Sequence, residues 1–173
     1  MNNQWENAKY FSNLMMERRG YKLLNNQNTN KNMVLYNNNI ENVIIWFFDN
    51  DKLNIDYIKE FISILENQNI KHGIVIYQNY ITSSTKKVLD NLYKFTIELF
   101  LVKEFQYDIT QFKYYCLHEK INSSEAKLIK EKFKNNLPFI LKNDAISRYF
   151  LFHKNDIIKI VRQNNSIIYR IVK

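Results

Sequence analysis

Asp49 and Asp51 follow an apolar run, near the end of an expected strand, and could bind a divalent cation weakly, as a hydrolytic metal site would require. Such a site needs a second component, an acidic-x-Lys triplet on a neighbouring strand, so that cation and lysine together polarise a water. The segment that should supply it, Ile74-Val75-Ile76-Tyr77-Gln78, has no carboxylate. Asp49 and Asp51 therefore read as loop acids. Cys116 and His118 are potential metal ligands, but no second pair follows at zinc-site spacing. His72 and His153 stand alone and read as ordinary polar positions. The two glycines, Gly20 and Gly73, are too far apart to shape a phosphate-cradling loop. The expectation is a chain with no catalytic residue, no metal ligand and no cofactor.

Binding chemistry is better represented. The 173 residues carry a formal net charge of +8, unevenly placed. Residues 1–111 hold 12 Lys+Arg and 12 Asp+Glu, whereas residues 112–173 hold 13 against 5. That asymmetry predicts two modules, the second facing nucleic acid or an acidic protein surface. Lys127, Lys130, Lys132 and Lys134 fit such a face, or equally a merely solvated helix. In the first half, Thr82-Ser83-Ser84-Thr85 with Lys86 and Lys87 combines hydroxyls, helix-start N–H groups and two cations. This set suits phosphate contact without base reading, with a solvated helix cap as the even competitor. Aromatic residues near cations can stack on bases, but Trp46, Phe47, Phe61 and Phe133 fall on apolar faces and read as core.

Several classes are excluded. No apolar run reaches the roughly 18 residues of a membrane-spanning helix. The opening Met1-Asn2-Asn3-Gln4-Trp5-Glu6 lacks the basic and apolar regions of a secretory signal. The single cysteine, Cys116, forms no internal disulfide, which suits a reducing compartment. An intracellular chain without a membrane partner is expected.

The elements that position these residues follow from periodicity. Trp5, Ala8, Phe11, Leu14 and Met15 recur at helical spacing, and Gly20 can close that helix in the left-handed conformation. Residues 25–32 form a polar, Asn-rich loop. Val43-Ile44-Ile45-Trp46-Phe47-Phe48 is a strand covered on both faces. The stripe Ile55, Ile58, Phe61, Ile62 and Leu65 predicts a helix, and residues 73–78 a second buried strand, parallel to the first through a right-handed crossover. Ser83 or Ser84 caps a third helix carrying Val88, Leu89 and Leu92, and residues 95–102 add a strand. The first module is α/β. Further on, Asn122 or Ser123 caps a helix bearing Ala126, Leu128, Ile129 and Phe133. Leu137-Pro138 is extended, because proline restricts itself and its predecessor. Asn143 and Asp144 are N-caps for a short helix over 145–150. Asn155-Asp156 is a turn, and residues 157–162 and 167–172 pair as a hairpin through Gln163-Asn164-Asn165-Ser166.

The order of residues from 137 onward also resembles a known family. Leu137, Pro138, Ile140, Asp144, Arg148, Tyr149, Phe150, Lys159, Ile160, Arg162, Tyr169 and Arg170 match the C-terminal assembly domain of the shared fifth subunit of eukaryotic RNA polymerases, a domain found also in its archaeal counterpart. Earlier, Gly73-Ile74-Val75-Ile76-Tyr77-Gln78-Asn79-Tyr80-Ile81-Thr82-Ser83-Ser84 is similar to the strand, Ile-Thr-Pro-Ser loop and helix of the eukaryotic-type N-terminal jaw, with Ser83 in place of the proline. Archaeal members lack this jaw, so its presence points to the eukaryotic or large-DNA-virus branch. His118 matches the connecting segment, where Cys116 replaces a proline. Leu151 and Asn155 stand where the family has glycines. Asn155 can take the left-handed conformation, whereas Leu151 implies an altered turn.

The resemblance implies an α/β jaw domain over 1–111, restriction-endonuclease-like and non-catalytic, a linker and helix over 112–136, and a small α+β assembly domain over 137–173. It implies a non-catalytic polymerase subunit that anchors on the largest subunit and neighbouring small subunits, with the jaw beside downstream duplex DNA. The partner interface would use Leu137, Pro138, Ile140, Arg148, Tyr149, Lys159, Ile160, Arg162, Tyr169 and Arg170. The DNA-proximal residues would be Thr82, Ser83, Ser84, Lys86 and Lys87. Localisation would be nuclear, or cytoplasmic and in the virion for a viral protein. The competing reading is a free-standing basic nucleic-acid-binding protein or a degenerate nuclease.

Overall fold

The apolar run centred on Ile45 becomes the middle strand of a sheet because helices cover both its faces. In the computed structural model, which describes residues 2–24, 32–134 and 136–173, the chain divides into two compact units, Met1–Tyr107 and Asp108–Lys173. The Asn-rich loop expected over 25–32 lies, apart from Asn32, outside the described residues. The division falls four residues before the expected 111/112 boundary. Residues 112–136, expected as linker and helix, supply a strand and a helix to the second unit.

The first unit runs α1 (Asn2–Arg18), β1 (Lys22–Leu24), β2 (Met33–Asn37), β3 (Asn42–Phe48), β4 (Lys52–Leu53), α2 (Ile55–Asn67), β5 (His72–Tyr77), β6 (Tyr80–Ile81), α3 (Ser83–Asp90) and β7 (Thr96–Leu101). Its five-stranded sheet has the order β1-β2-β3-β5-β7. The outer pairs β1–β2 and β2–β3 are antiparallel, while β3, β5 and β7 run parallel. Side chains alternate across the pleat, so Ile44, Trp46, Phe48 and Val75 meet Ile58, Phe61 and Leu65 of α2 on one face. Gly73 belongs to that face: a Cβ there would lie 2.6 Å from Phe61 and 3.0 Å from Leu65, so the helix sits as close as it does only over a glycine. On the other face, the ammonium of Lys9 in α1 lies over the Phe47 ring, 5.7 Å from its centroid. Among the described residues no helix is long and apolar enough to cross a membrane.

Local chemistry sets the helix ends. Gly20 takes φ +84°, with its N–H bonded to the Glu17 carbonyl and that of Tyr21 to Met16, which closes α1 in a Schellman motif. Asn54 caps α2, its side chain accepting from the N–H groups of Asp56 and Tyr57. The cap of α3 is Thr82, whose hydroxyl accepts from Thr85 N at 3.2 Å, and not Ser83 or Ser84 as expected. Parallel pairing of β4 with β6 holds Tyr80 and Ile81 extended, so the first residue with non-helical geometry beside the helix is Thr82.

The second unit contains β8 (Leu117–Lys120), α4 (Ser123–Lys132), β9 (Phe139–Ile140), α5 (Ala145–Tyr149), β10 (Ile157–Val161) and β11 (Ile167–Val172). The expected β10–β11 hairpin forms and is flanked on both sides, in the order β8-β10-β11-β9. β8 is antiparallel to β10 and β9 parallel to β11. Ile140, Ile158, Ile160 and Val172 form one core with Phe152, Ile146 and Phe150. Ile121, Leu137 and Ile157 form another on the opposite face, against Ala126 and Ile129 of α4. Asn122 and Asp144 are the caps of α4 and α5. Leu151 has φ +54° and Asn155 +73°. Leu151 therefore keeps the left-handed turn, and the alteration expected there is absent: Phe152 N–H reaches the Ser147 carbonyl and Leu151 N–H that of Arg148, as in a glycine-closed helix.

Candidate partner and nucleic-acid interfaces

At the carboxyl ends of the parallel strands, the loop before α3 is built from its own hydroxyls. Thr82 Oγ1 lies 2.7 Å from Thr85 Oγ1 and 2.9 Å from Ser84 Oγ, and Thr85 is fully buried. Thr82 is thus occupied as a cap. Ser83, Ser84, Lys86 and Lys87 are exposed. The sequence reading missed Lys52: β4–β6 pairing places it opposite Tyr80, its ammonium 5.8 Å from the centroid of that exposed ring. Exposed in this stretch of the first unit are thus Lys52, Lys86, Lys87, Ser83, Ser84 and Tyr80. Asp51 accepts a hydrogen bond from Asn79, and Asp49 one from Asn32 at 3.3 Å. Among the described residues, no group of three or more His, Cys, Asp or Glu could hold a metal ion.

His72 is not the isolated polar position expected. It is buried, with Nε2 2.8 Å from Glu98 and Nδ1 3.3 Å from Glu41. Glu98 in turn receives both terminal nitrogens of Arg19, at 2.7 and 2.8 Å, and Glu41 accepts from the Tyr21 hydroxyl. Burial alone would raise the Glu98 carboxyl; the charge of Arg19, then the hydrogen bonds from His72 and Arg19, outweigh it and hold the group at about 2. Burial first, then the bond to Glu41, pushes the Tyr21 phenol up. The network joins the end of α1 to β7, β5 and the β2–β3 turn. It is a structural clamp, invisible in sequence because its members lie far apart along the chain.

In the second unit, the residues expected at a partner interface do not form one surface. Leu137, Ile140 and Ile160 are buried in the unit's own cores, since a sheet of four short strands needs them for its own closure, and Tyr149 is buried as well. Pro138 is exposed. Lys159 and Tyr169 are cross-strand neighbours on the α4 face. Leu117, Val161 and Ile167 lie beside them in one row across three strands. Leu117 is 49% exposed and Ile167 50%, which leaves an apolar strip beyond the reach of α4. Arg162 and Arg170 lie on the α5 face, where they line an open cavity of about 440 Å³. Arg148 lines a separate hollow with Lys142 and Lys173. His118 points into the Arg162–Arg170 cavity; its Nδ1–H donates to the Cys116 carbonyl at 2.6 Å, and burial lowers its pKa.

Residues 107–172, the whole of this second unit but for its last residue, match the family model described as RNA polymerase Rpb5, C-terminal domain. The chain is similar to DNA-directed RNA polymerase V subunit 5A of Arabidopsis thaliana, 29% identical over 122 residues, which is 68% of this chain and 54% of the relative. It is similar also to the DNA-directed RNA polymerases I, II, and III subunit RPABC1 of Caenorhabditis elegans, 28% identical over 149 residues, 81% of this chain and 71% of that one. It spans about half the length of the plant protein and about two thirds of the RPABC1 of Caenorhabditis briggsae. Among solved structures, a chain of the ATP-dependent Type ISP restriction-modification enzyme LlaBIII bound to DNA overlays 79% of this chain and 10% of its own, at 16% identity and a TM-score of 0.47, too loosely to bear on fold or function. The second unit is therefore similar to a domain of shared RNA polymerase subunits, and the chain as a whole is similar to such subunits. The resemblance read from the sequence is thus matched by the Rpb5 C-terminal domain over residues 107–172 and by these relatives along the chain.

Proposed function

We propose that this chain is a non-catalytic subunit of a multisubunit DNA-directed RNA polymerase. The observation that carries the reading is the coincidence of the family match with one complete compact unit: residues 107–172 against Asp108–Lys173. That unit is the assembly domain and docks on the largest subunit and neighbouring small subunits. Its apolar strip (exposed Leu117 and Ile167 with half-buried Val161 between them) and flanking cations suit a protein partner, because such contacts combine desolvated apolar area with charge-assisted rim bonds. The first unit is the jaw, a restriction-endonuclease-like α/β domain without catalytic function, beside downstream duplex DNA. Ser83, Ser84, Lys86 and Lys87, with Lys52 and Tyr80, are the groups that touch phosphates without reading sequence. The setting is nuclear, or cytoplasmic and in the virion for a viral protein.

Gradient sedimentation of an extract from the native source, following the untagged chain, tests this. The chain should travel in the heavy fractions with promoter-independent RNA synthesis and remain there at high salt. A light, free chain would contradict the subunit reading, and salt-sensitive attachment to nucleic acid would favour a free-standing DNA-binding protein.

A further inference from the structure

The cavity on the α5 face of the second unit is floored by Ile140, Ile146, Ile160 and Ile168, one side chain from each of β9, α5, β10 and β11. Arg162 and Arg170 stand at its wall. We propose that this cavity takes an apolar side chain together with a neighbouring carboxylate, both from one extended acidic segment of a polymerase partner. The proposal rests on the subunit reading above and specifies the chemistry of one contact within it.

Among the described residues these donors are incompletely satisfied. Among the described residues Arg170 Nε is buried without a hydrogen-bond partner, and its Nη1 donates to the Phe139 carbonyl at 3.4 Å. A buried donor left unpaired is unfavourable. A carboxylate accepting from the guanidinium would satisfy it with the planar, two-pronged geometry that suits arginine. Arg162 is exposed at the end of β10, and its side chain has no partner among the described residues. The one carboxylate lining the cavity, Asp144, is engaged as the cap of α5 through Ile146 N at 2.9 Å. Burial lowers the pKa of His118, which disfavours a third cation there. The charge of the unit agrees, with 13 Lys+Arg against 6 Asp+Glu over residues 108–173. A nucleobase fits less well. The floor is aliphatic rather than a flat ring, and of the aromatics at the mouth Phe112 and Tyr114 meet edge to face while the Lys113 ammonium already covers Tyr114.

The test titrates the full chain, with labelled isoleucine methyl groups, against three probes: phenylacetate, phenylacetamide and adenosine monophosphate. Phenylacetate should shift the methyl signals of Ile140, Ile146, Ile160 and Ile168 and bind about tenfold more tightly than the uncharged amide. Arg162→Ala, an exposed substitution that leaves the core untouched, and Arg170→Lys, which keeps the apolar stem, should each remove most of that advantage. Equal binding of acid and amide, or no shift with any probe, would overturn the proposal. Tighter binding of the nucleotide would overturn it in favour of single-stranded nucleic acid. Recovery of polymerase subunits with the wild-type chain is scored separately. A chain that assembles yet ignores phenylacetate sinks the cavity proposal alone; one that binds phenylacetate but recovers no polymerase sinks the subunit reading, and with it the partner named here.

Discussion

Arg19 closes the last turn of α1 and Glu98 lies within β7, 79 residues further on, and their side chains pair through two hydrogen bonds of 2.7 and 2.8 Å. Both are nearly out of water, at 3% and 11% side-chain exposure. A buried ion pair is dangerous to break because removing one charge strands the other. Here His72 shares Glu98, so the stranded group would be part of a larger network.

Glu98→Gln keeps the shape and removes the charge. It should lower stability by about 3 kcal/mol in urea unfolding, and Arg19→Met combined with it should restore part of the loss. The pH dependence has a definite sign. The folded carboxyl is held at about 2 against an ordinary 4.5, so its contribution is complete above about pH 4.5 and is lost as pH falls towards 2. The variant should lack that portion of the acid slope. An unchanged slope would mean that Glu98 is not the anchor of the network.

Leu151 holds a left-handed backbone, φ +54°, that costs a non-glycine residue about 1–2 kcal/mol. Leu151→Gly removes that strain but adds freedom to the unfolded chain. A net gain of roughly 0.5–1 kcal/mol is expected by chemical denaturation. A loss of stability would mean that the half-buried leucine side chain contributes more packing than its backbone costs.

Thr82 and Ser83 separate two accounts of the start of α3. If Thr82 is the cap, Thr82→Ala should cost about 1 kcal/mol, while Ser83→Ala should stay within about 0.5 kcal/mol. The reverse order in thermal unfolding would restore Ser83 as the cap.

Most of the fold was legible because burial imposes periodicity. The run centred on Ile45, the α2 stripe and the β10–β11 hairpin all follow from which faces meet water. Three things were not legible. β8 carries Leu117-His118-Glu119-Lys120, with no β-branched residue, and is a strand only because β10 offers it an edge. The Arg19–Glu98–His72 clamp depends on contacts across the whole first unit, which no local pattern encodes. The residues expected at the interface could not be assigned to faces. Arg162 and Arg170 face α5, Lys159 and Tyr169 face α4, and Ile140 and Ile160 are consumed by the core. Spacing identified the strands; only their pairing with β8 and β9 showed what each side left open.

The contact with DNA proposed for the first unit should appear as a salt effect. In the assembled polymerase, replacing Lys86 and Lys87 together by alanine should weaken binding to a downstream duplex and reduce the slope of log affinity against log salt by roughly one for each lysine that touches phosphate. Binding of different duplex sequences should weaken equally, because none of these groups reads base edges. An unchanged slope would place the DNA elsewhere on the subunit.

The most direct measurement of the central claim is the stoichiometry of what a tagged copy brings down from its native source, determined by mass spectrometry. The account predicts the two largest RNA polymerase subunits in equal amount to the chain, with the smaller subunits beside them. Recovery of the chain alone, or of the chain with nucleic acid and no polymerase, would contradict it.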